Sequence, residues 1–238
     1  MKTTFLAILT MFLSMNGTSC AQQSRNTKDA FEVSDFTAIE ASVVANIYIT
    51  QSPATKVTAE GSEELLERLE VKMEGGRLLL NMEESFWKRF GKNSVKLTIR
   101  IATPTLTEIN FDGVGNITID GAFNTPQLEI NSEGVGNLTA YSLECEYVKI
   151  SSEGVGNTIV GGKANKVEID SEGVGNVDAA KLITSEAIVS SQGVGNVSCY
   201  ASDFLSIRSQ GVGNVHYYGK PVKTDLIKDG IGKIRPGE

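Results

Sequence analysis

Gly113-Val114-Gly115-Asn116 is followed by the same four residues at 134–137, 154–157, 173–176, 193–196 and 211–214. Successive starts lie 21, 20, 19, 20 and 18 residues apart. A unit of that length cannot bury an apolar face alone, so the array reads as a solenoid whose units pack on one another. Ahead of the motif, apolar residues alternate with polar ones: Leu128 and Ile130, Val148 and Ile150, Val167 and Ile169, Ala187 and Val189, Leu205 and Ile207. Alternation resumes after the Asn (Ile117 and Ile119, Leu138 and Ala140, Val177 and Ala179, Val197 and Cys199, Val215 and Tyr217), with Ile159 out of step in the third copy. Period two means strand. Two short strands in about 20 residues leave no room for a crossover helix, and no leucine-rich consensus is present.

The expected fold is therefore all-β, a parallel β-helix of ~20-residue coils with an irregular N-terminal part. Its glycines permit a bend, and Asn116, Asn137, Asn157, Asn176, Asn196 and Asn214 are expected to stack as a structural ladder at a coil spacing of ~4.8 Å. Length variation falls at Gly161-Gly162-Lys163 and Ser202-Asp203, which read as a loop face.

Residues 1–20 have the layout of an export signal: Lys2, an apolar run from Phe5 to Met15, then small residues to Cys20. The run is too short to span a membrane. Gly17-Thr18-Ser19-Cys20 resembles a bacterial lipobox, with Gly where Leu is usual, which makes Cys20 the expected lipidation site; ordinary cleavage after Ala21 is the alternative. Residues 21–30 read as a tether and 31–238 as one domain. Within it Ile39–Gln51 aligns without gaps on Ile109–Gly121, an eroded copy of the unit. Strands around Lys56–Ala59, Leu69–Met73, Arg77–Met82 and Val95–Ile101, an acidic helical turn at Ser62–Arg68 and a Gly75-Gly76 hairpin follow. Gly230-Ile231-Gly232-Lys233 closes the array as a last copy with Lys in place of Asn.

The formal net charge of −7 becomes −8 once Lys2 is removed with the leader, which sets nucleic acid aside as a partner and leaves membrane contact to a lipid anchor alone. Asp112, Glu133, Glu153, Glu172, Gln192 and Gln210 precede the motif and form an outward row, read as a solvated stripe; the motif carries Asn where the calcium-binding repeat requires Asp. No metal, cofactor or catalytic residue is assigned. The carboxylates follow the repeat register and do not gather, and His216, the single histidine, falls at an outward position. Cys145 and Cys199 lie in coils too far apart for a disulfide and read as buried thiols. The segment Glu83–Ser94 holds the single Trp with basic residues, so Phe86, Trp87, Arg89 and Phe90 are the candidate ligand-binding residues, against a reading in which Trp87 only caps the solenoid.

Phe36-Thr37-Ala38-Ile39-Glu40-Ala41, Asn46-Ile47-Tyr48-Ile49-Thr50-Gln51 and the tandem Gly-x-Gly-Asn units resemble the adhesin "head GIN" domain family of exported proteins in Bacteroidetes-type bacteria. The resemblance covers residues 33–234 and implies a right-handed β-helix in a periplasmic, outer-membrane or cell-surface lipoprotein. The expected function is non-catalytic binding or adhesion at the cell envelope, with a glycan or an envelope protein as partner. A polysaccharide-degrading β-helix enzyme and a purely structural scaffold are the alternatives.

Overall fold

Alternating residues produce strands, and the recurring turn bends each strand pair into a coil. A computed structural model describes residues 27–83 and 97–237. Cys20 and the candidate residues Phe86, Trp87, Arg89 and Phe90 lie outside the described residues. The described chain is nearly all-β, with stacked parallel coils of about 20 residues.

The irregular part contains β1 (Thr27–Phe31), β2 (Ala38–Ser42), β3 (Asn46–Gln51), β4 (Lys56–Gly61), α1 (Glu63–Arg68), β5 (Glu70–Glu74), β6 (Arg77–Asn81) and β7 (Thr98–Thr103). The array contains β8 (Glu108–Phe111), β9 (Ile117–Asn124), β10 (Gln127–Ser132), β11 (Leu138–Ser152), β12 (Thr158–Ser171), β13 (Val177–Ile183), β14 (Glu186–Ser191), β15 (Val197–Tyr200), β16 (Phe204–Ser209), β17 (Val215–Tyr218), β18 (Lys223–Lys228) and β19 (Ile234–Pro236).

Two long faces run along the stack. The first joins β5, β6, β2, β8, β10, the second half of β11, the second half of β12, β14, β16 and β18, all parallel except the antiparallel hairpin β5–β6. The second joins β7, β3, β9, the first halves of β11 and β12, β13, β15, β17 and β19. Antiparallel β4 and then β1 extend it beyond β7.

The gapless internal alignment is visible as register: Ile39 pairs with Ile109 and Ile47 with Ile117. Chain order and stacking order nonetheless differ at this end. The coil β2–β3 lies between the later coil β6–β7 and the array coil β8–β9, because β2 pairs with both β6 and β8 and β3 with both β7 and β9. After β1 at the outer edge, the chain thus lays down β2–β3 one coil in, then the outer coil, and returns past β2–β3.

Inward residues form one continuous core. Ile39, Ile109, Ile130, Ile150, Ile169 and Ile207 are all buried at equivalent positions. Each such side chain contributes about 1.5–3 kcal/mol, and the stack multiplies that term coil by coil. In the third copy Thr158 takes the inward place and is buried, which is why Ile159 points outward.

Two expectations change. Residues 27–30, read as tether, already belong to β1, whose exposed residues pair antiparallel with β4. Residues 161–163, read as loop, continue the strand: β11 and β12 run unbroken through this side of the coil, with irregularities at Ala140–Leu143 and Ile159–Gly161 absorbing the length differences. The backbone pairs here because a corner with strand neighbours above and below loses nothing by staying extended.

Candidate binding surface

The repeated turn sets the edge between the two faces. Its Val residues bridge coil to coil, from Val44 through Val114, Val135, Val155, Val174, Val194 and Val212 to Ile231. Its two glycines differ in backbone conformation. The second has positive φ, +152° at Gly175, and a Cβ there would stand 1.7 Å from the Gly156 carbonyl oxygen. The first has no such angle, yet a Cβ at Gly134 would stand 2.2 Å from the Gly113 oxygen. Close approach between coils excludes side chains from both positions.

The Asn residues stand one above another. The Oδ1 of Asn116 accepts from both the backbone N–H and the Nδ2 of Asn137, at 3.2 and 3.0 Å, and this double contact repeats through Asn157, Asn176 and Asn196 to Asn214. The column begins one coil earlier than the tandem motif, at Asn46, whose Oδ1 serves Asn116 in the same way. It ends where the Lys233 N–H donates to Asn214 Oδ1 at 3.1 Å. All side-chain amides point one way, so their dipoles align. The column satisfies turn N–H groups from coil to coil.

On the other side of the Val ridge, Asp112, Glu133, Glu153, Glu172, Gln192 and Gln210 are exposed in a row. Gln192 Nε2 reaches Glu172 Oε1 at 3.2 Å, so an amide separates part of the charge. Among the described residues no cluster of His, Cys, Asp and Glu is arranged to hold a metal. His216 faces outward on the second face and accepts from Arg235 Nε at 2.9 Å. Cys145 is half-buried and Cys199 buried, and both are free. Burial pushes the Cys145 thiol up to about 11 and the Cys199 thiol up to about 12.

The first face holds a set of polar contacts within and between coils that reading the motif alone does not reveal. Asn131 Nδ2 donates to Asn110 Oδ1 at 2.8 Å, and Asn110 Nδ2 to Glu108 Oε1 at 2.7 Å. Arg77 grips Glu108 with two parallel bonds of 2.8 and 2.9 Å, and this guanidinium holds the carboxyl below the usual carboxylate range. One strand on, Lys149 Nζ reaches Glu129 at 2.8 Å. Tyr147 Oη donates to Glu168 at 2.8 Å while Lys166 reaches the same carboxylate at 2.6 Å and lies 5.8 Å from the Tyr147 ring centre. The hydrogen bond from Lys166, then that from Tyr147, lowers the Glu168 carboxyl, whereas burial and then Glu168 raise the Tyr147 hydroxyl to about 12. Beside this set an open groove of about 430 Å³ is lined by Ser42, Asn110, Asp112, Asn131, Glu133 and Glu153, among others. For Asn110–Asn131, Glu129–Lys149 and Tyr147–Glu168 the signal is present as outward residues 20 or 21 apart, one coil period, but only the register says which of them meet.

The face is thus preorganised for hydrogen bonding over several coils and carries an aromatic ring in its midst. Such a surface can bind, and Arg77–Glu108, Lys149–Glu129 and Lys166–Glu168 are ion-paired on it.

A search of curated proteins finds no match. Among solved structures, a putative adhesin from Bacteroides fragilis NCTC 9343 shares 33% identity over 90% of this chain and 97% of its own, with a TM-score of 0.84. A putative lipid binding protein from Parabacteroides distasonis ATCC 8503 (21% identity, 89% and 97% covered, TM-score 0.66) and a putative adhesin from Parabacteroides merdae ATCC 43184 (16%, 89% and 97%, 0.60) share the fold. The family described as "Putative auto-transporter adhesin, head GIN domain" matches residues 35–221, a span that takes in β2, the Asn column and the turns from Val44 to Val212, and the chain belongs to that family.

Proposed function

We propose that this protein is a non-catalytic, lipid-anchored binding protein of the cell envelope, attached through Cys20, that uses its first face to hold an extended glycan. The coarser part follows from the family, whose description is that of an exported or surface adhesin. The observation that carries the finer part is the hydrogen-bonded set Arg77–Glu108–Asn110–Asn131 with Lys149–Glu129 and Tyr147–Glu168–Lys166, repeated at coil spacing. A polymer with its own repeat can meet such rows at several points, and the weak contacts add by multivalency. Tyr147 supplies a ring for stacking against a sugar.

The test is a glycan array with a pull-down from envelope extracts, using wild type, a Tyr147→Ala/Lys149→Ala double variant and Trp87→Ala. Glycan binding that falls about tenfold or more in the double variant supports the reading. Binding lost only in Trp87→Ala moves the site to the segment 83–94. Capture of an envelope protein without glycan binding replaces the ligand, glycan turnover overturns the non-catalytic reading, and absence of any ligand leaves a scaffold.

A further inference from the structure

Among the described residues the first face ends in β5 on one side and β18 on the other. Among the described strands β5 pairs with β6 alone and β18 with β16 alone. These edges differ in charge. Residues 60–74, which carry α1 and β5, hold Glu60, Glu63, Glu64, Glu67, Glu70 and Glu74 against Arg68 and Lys72, a net charge of −4. Residues 220–235 hold Lys220, Lys223, Lys228, Lys233 and Arg235 against Asp225 and Asp229, a net charge of +3. Opposite poles therefore sit at opposite ends of one solenoid.

The edges also fit strand to strand. Lys223 and Asp229 send their N–H groups to Asp203 and Ser209, so by alternation Thr224 and Leu226 turn theirs to the free side. At the other end Glu74 and Arg77 flank the two-residue turn Gly75-Gly76, both with positive φ, which makes them the hydrogen-bonded pair of a tight hairpin and turns the N–H groups of Met73 and Val71 outward. β5 runs opposite to every other strand of the face, so β18 of a second molecule stacked in the same orientation meets it antiparallel, and because β1 lies one strand further out on the second face, at the level of the incoming β19, this pairing requires β1 to leave that level. Placing Thr224 opposite Met73 and Leu226 opposite Val71 joins the free N–H groups on both sides. The same register sets Lys223 against Glu74 and Asp225 against Lys72 on the outer surface. It also covers Leu226, which is 41% exposed although it continues the column of buried Ile207. A one-residue slip would lose the charge pairs and set Thr224 and Leu226 against residues whose N–H groups already point to β6.

We propose that the protein self-associates head to tail, the free edge of β18 in one molecule pairing antiparallel with the free edge of β5 in the next. The contact is heterologous and does not close, so it builds open chains in which the first face continues from one molecule into the following one.

Sedimentation velocity tests this on the purified protein. Wild type forms species that grow with concentration, and raising salt from low to high molarity weakens the association roughly tenfold. Lys223→Glu/Asp225→Lys alone and Lys72→Glu/Glu74→Lys alone are each monomeric with the wild-type circular dichroism spectrum, and mixing the two restores association, because each then offers the other a matched pair of edges. Thr224→Pro removes one outward N–H without touching a bond to β16, and it is monomeric at unchanged thermal stability. A wild type that stays monomeric at millimolar concentration would mean that the charges guard the edges against pairing, and it overturns the proposal. So does association that survives the charge reversals or Thr224→Pro, or folded reversed variants that fail to restore it on mixing.

Discussion

Gln51 holds Asn124 by two hydrogen bonds: its Oε1 accepts the Asn124 N–H at 2.9 Å, and its Nε2 donates to the Asn124 carbonyl at 2.7 Å and to that of Pro104 at 2.9 Å. A side-chain amide at the end of β3 thus occupies the place of a strand neighbour and holds the segment that returns past the entry coil. Gln51→Ala should cost about 1–2 kcal/mol, because the groups it leaves are exposed and water takes them up in part. Gln51→Glu, which keeps the acceptor and loses both donors, should lie between. Urea unfolding of the two variants checks the order.

The turns make a sharper prediction. Gly175→Ala puts a methyl 1.7 Å from a backbone oxygen in the middle of the stack, where neither coil can yield without displacing the next. A loss of about 4 kcal/mol or more, or failure to fold, is expected. Gly121→Ala is the control: its φ of +78° is equally unsuited to alanine, but nothing lies within 4 Å. That change should cost only about 1–2 kcal/mol. Equal losses would show that backbone conformation, not coil spacing, demands the glycine.

Asn157→Ala removes the acceptor of the Asn176 N–H and Nδ2 and the donor to Asn137. About 2 kcal/mol is expected. Asn214→Ala, near the open end, should cost less than half of that, since only the last coil depends on it. Chemical denaturation of the pair measures the gradient along the column.

Alkaline pH should act through Tyr147. Its folded value is raised from 10.0 to about 12 by burial and by Glu168, so the unfolded chain releases this proton first. The stability it contributes is complete below pH 10 and is lost as the pH rises toward 12. Tyr147→Phe should flatten the fall in urea midpoint across that window. The variant's tyrosinate absorbance should also lack the last step of the titration.

Much of this was legible in the chain. The four-residue repeat, the alternating apolar residues and the alignment of Ile39–Gln51 on Ile109–Gly121 specified parallel coils, the inward set and the Asn column, because strand alternation and the steric demands of a tight turn are local properties. Which coil lies on which was not local. β6 and β7 stack outside β2 and β3 because the entry coil has apolar surface to cover on both sides, and that is met by residues far along the chain. The pairing of Gln51 with Asn124 and, among the described strands, the unpaired edge of β5 follow from that stacking. Sequence alone determined what each coil is made of; the three-dimensional arrangement decided the order of coils and which edges stay open, since only burial summed over the whole stack distinguishes one order from another.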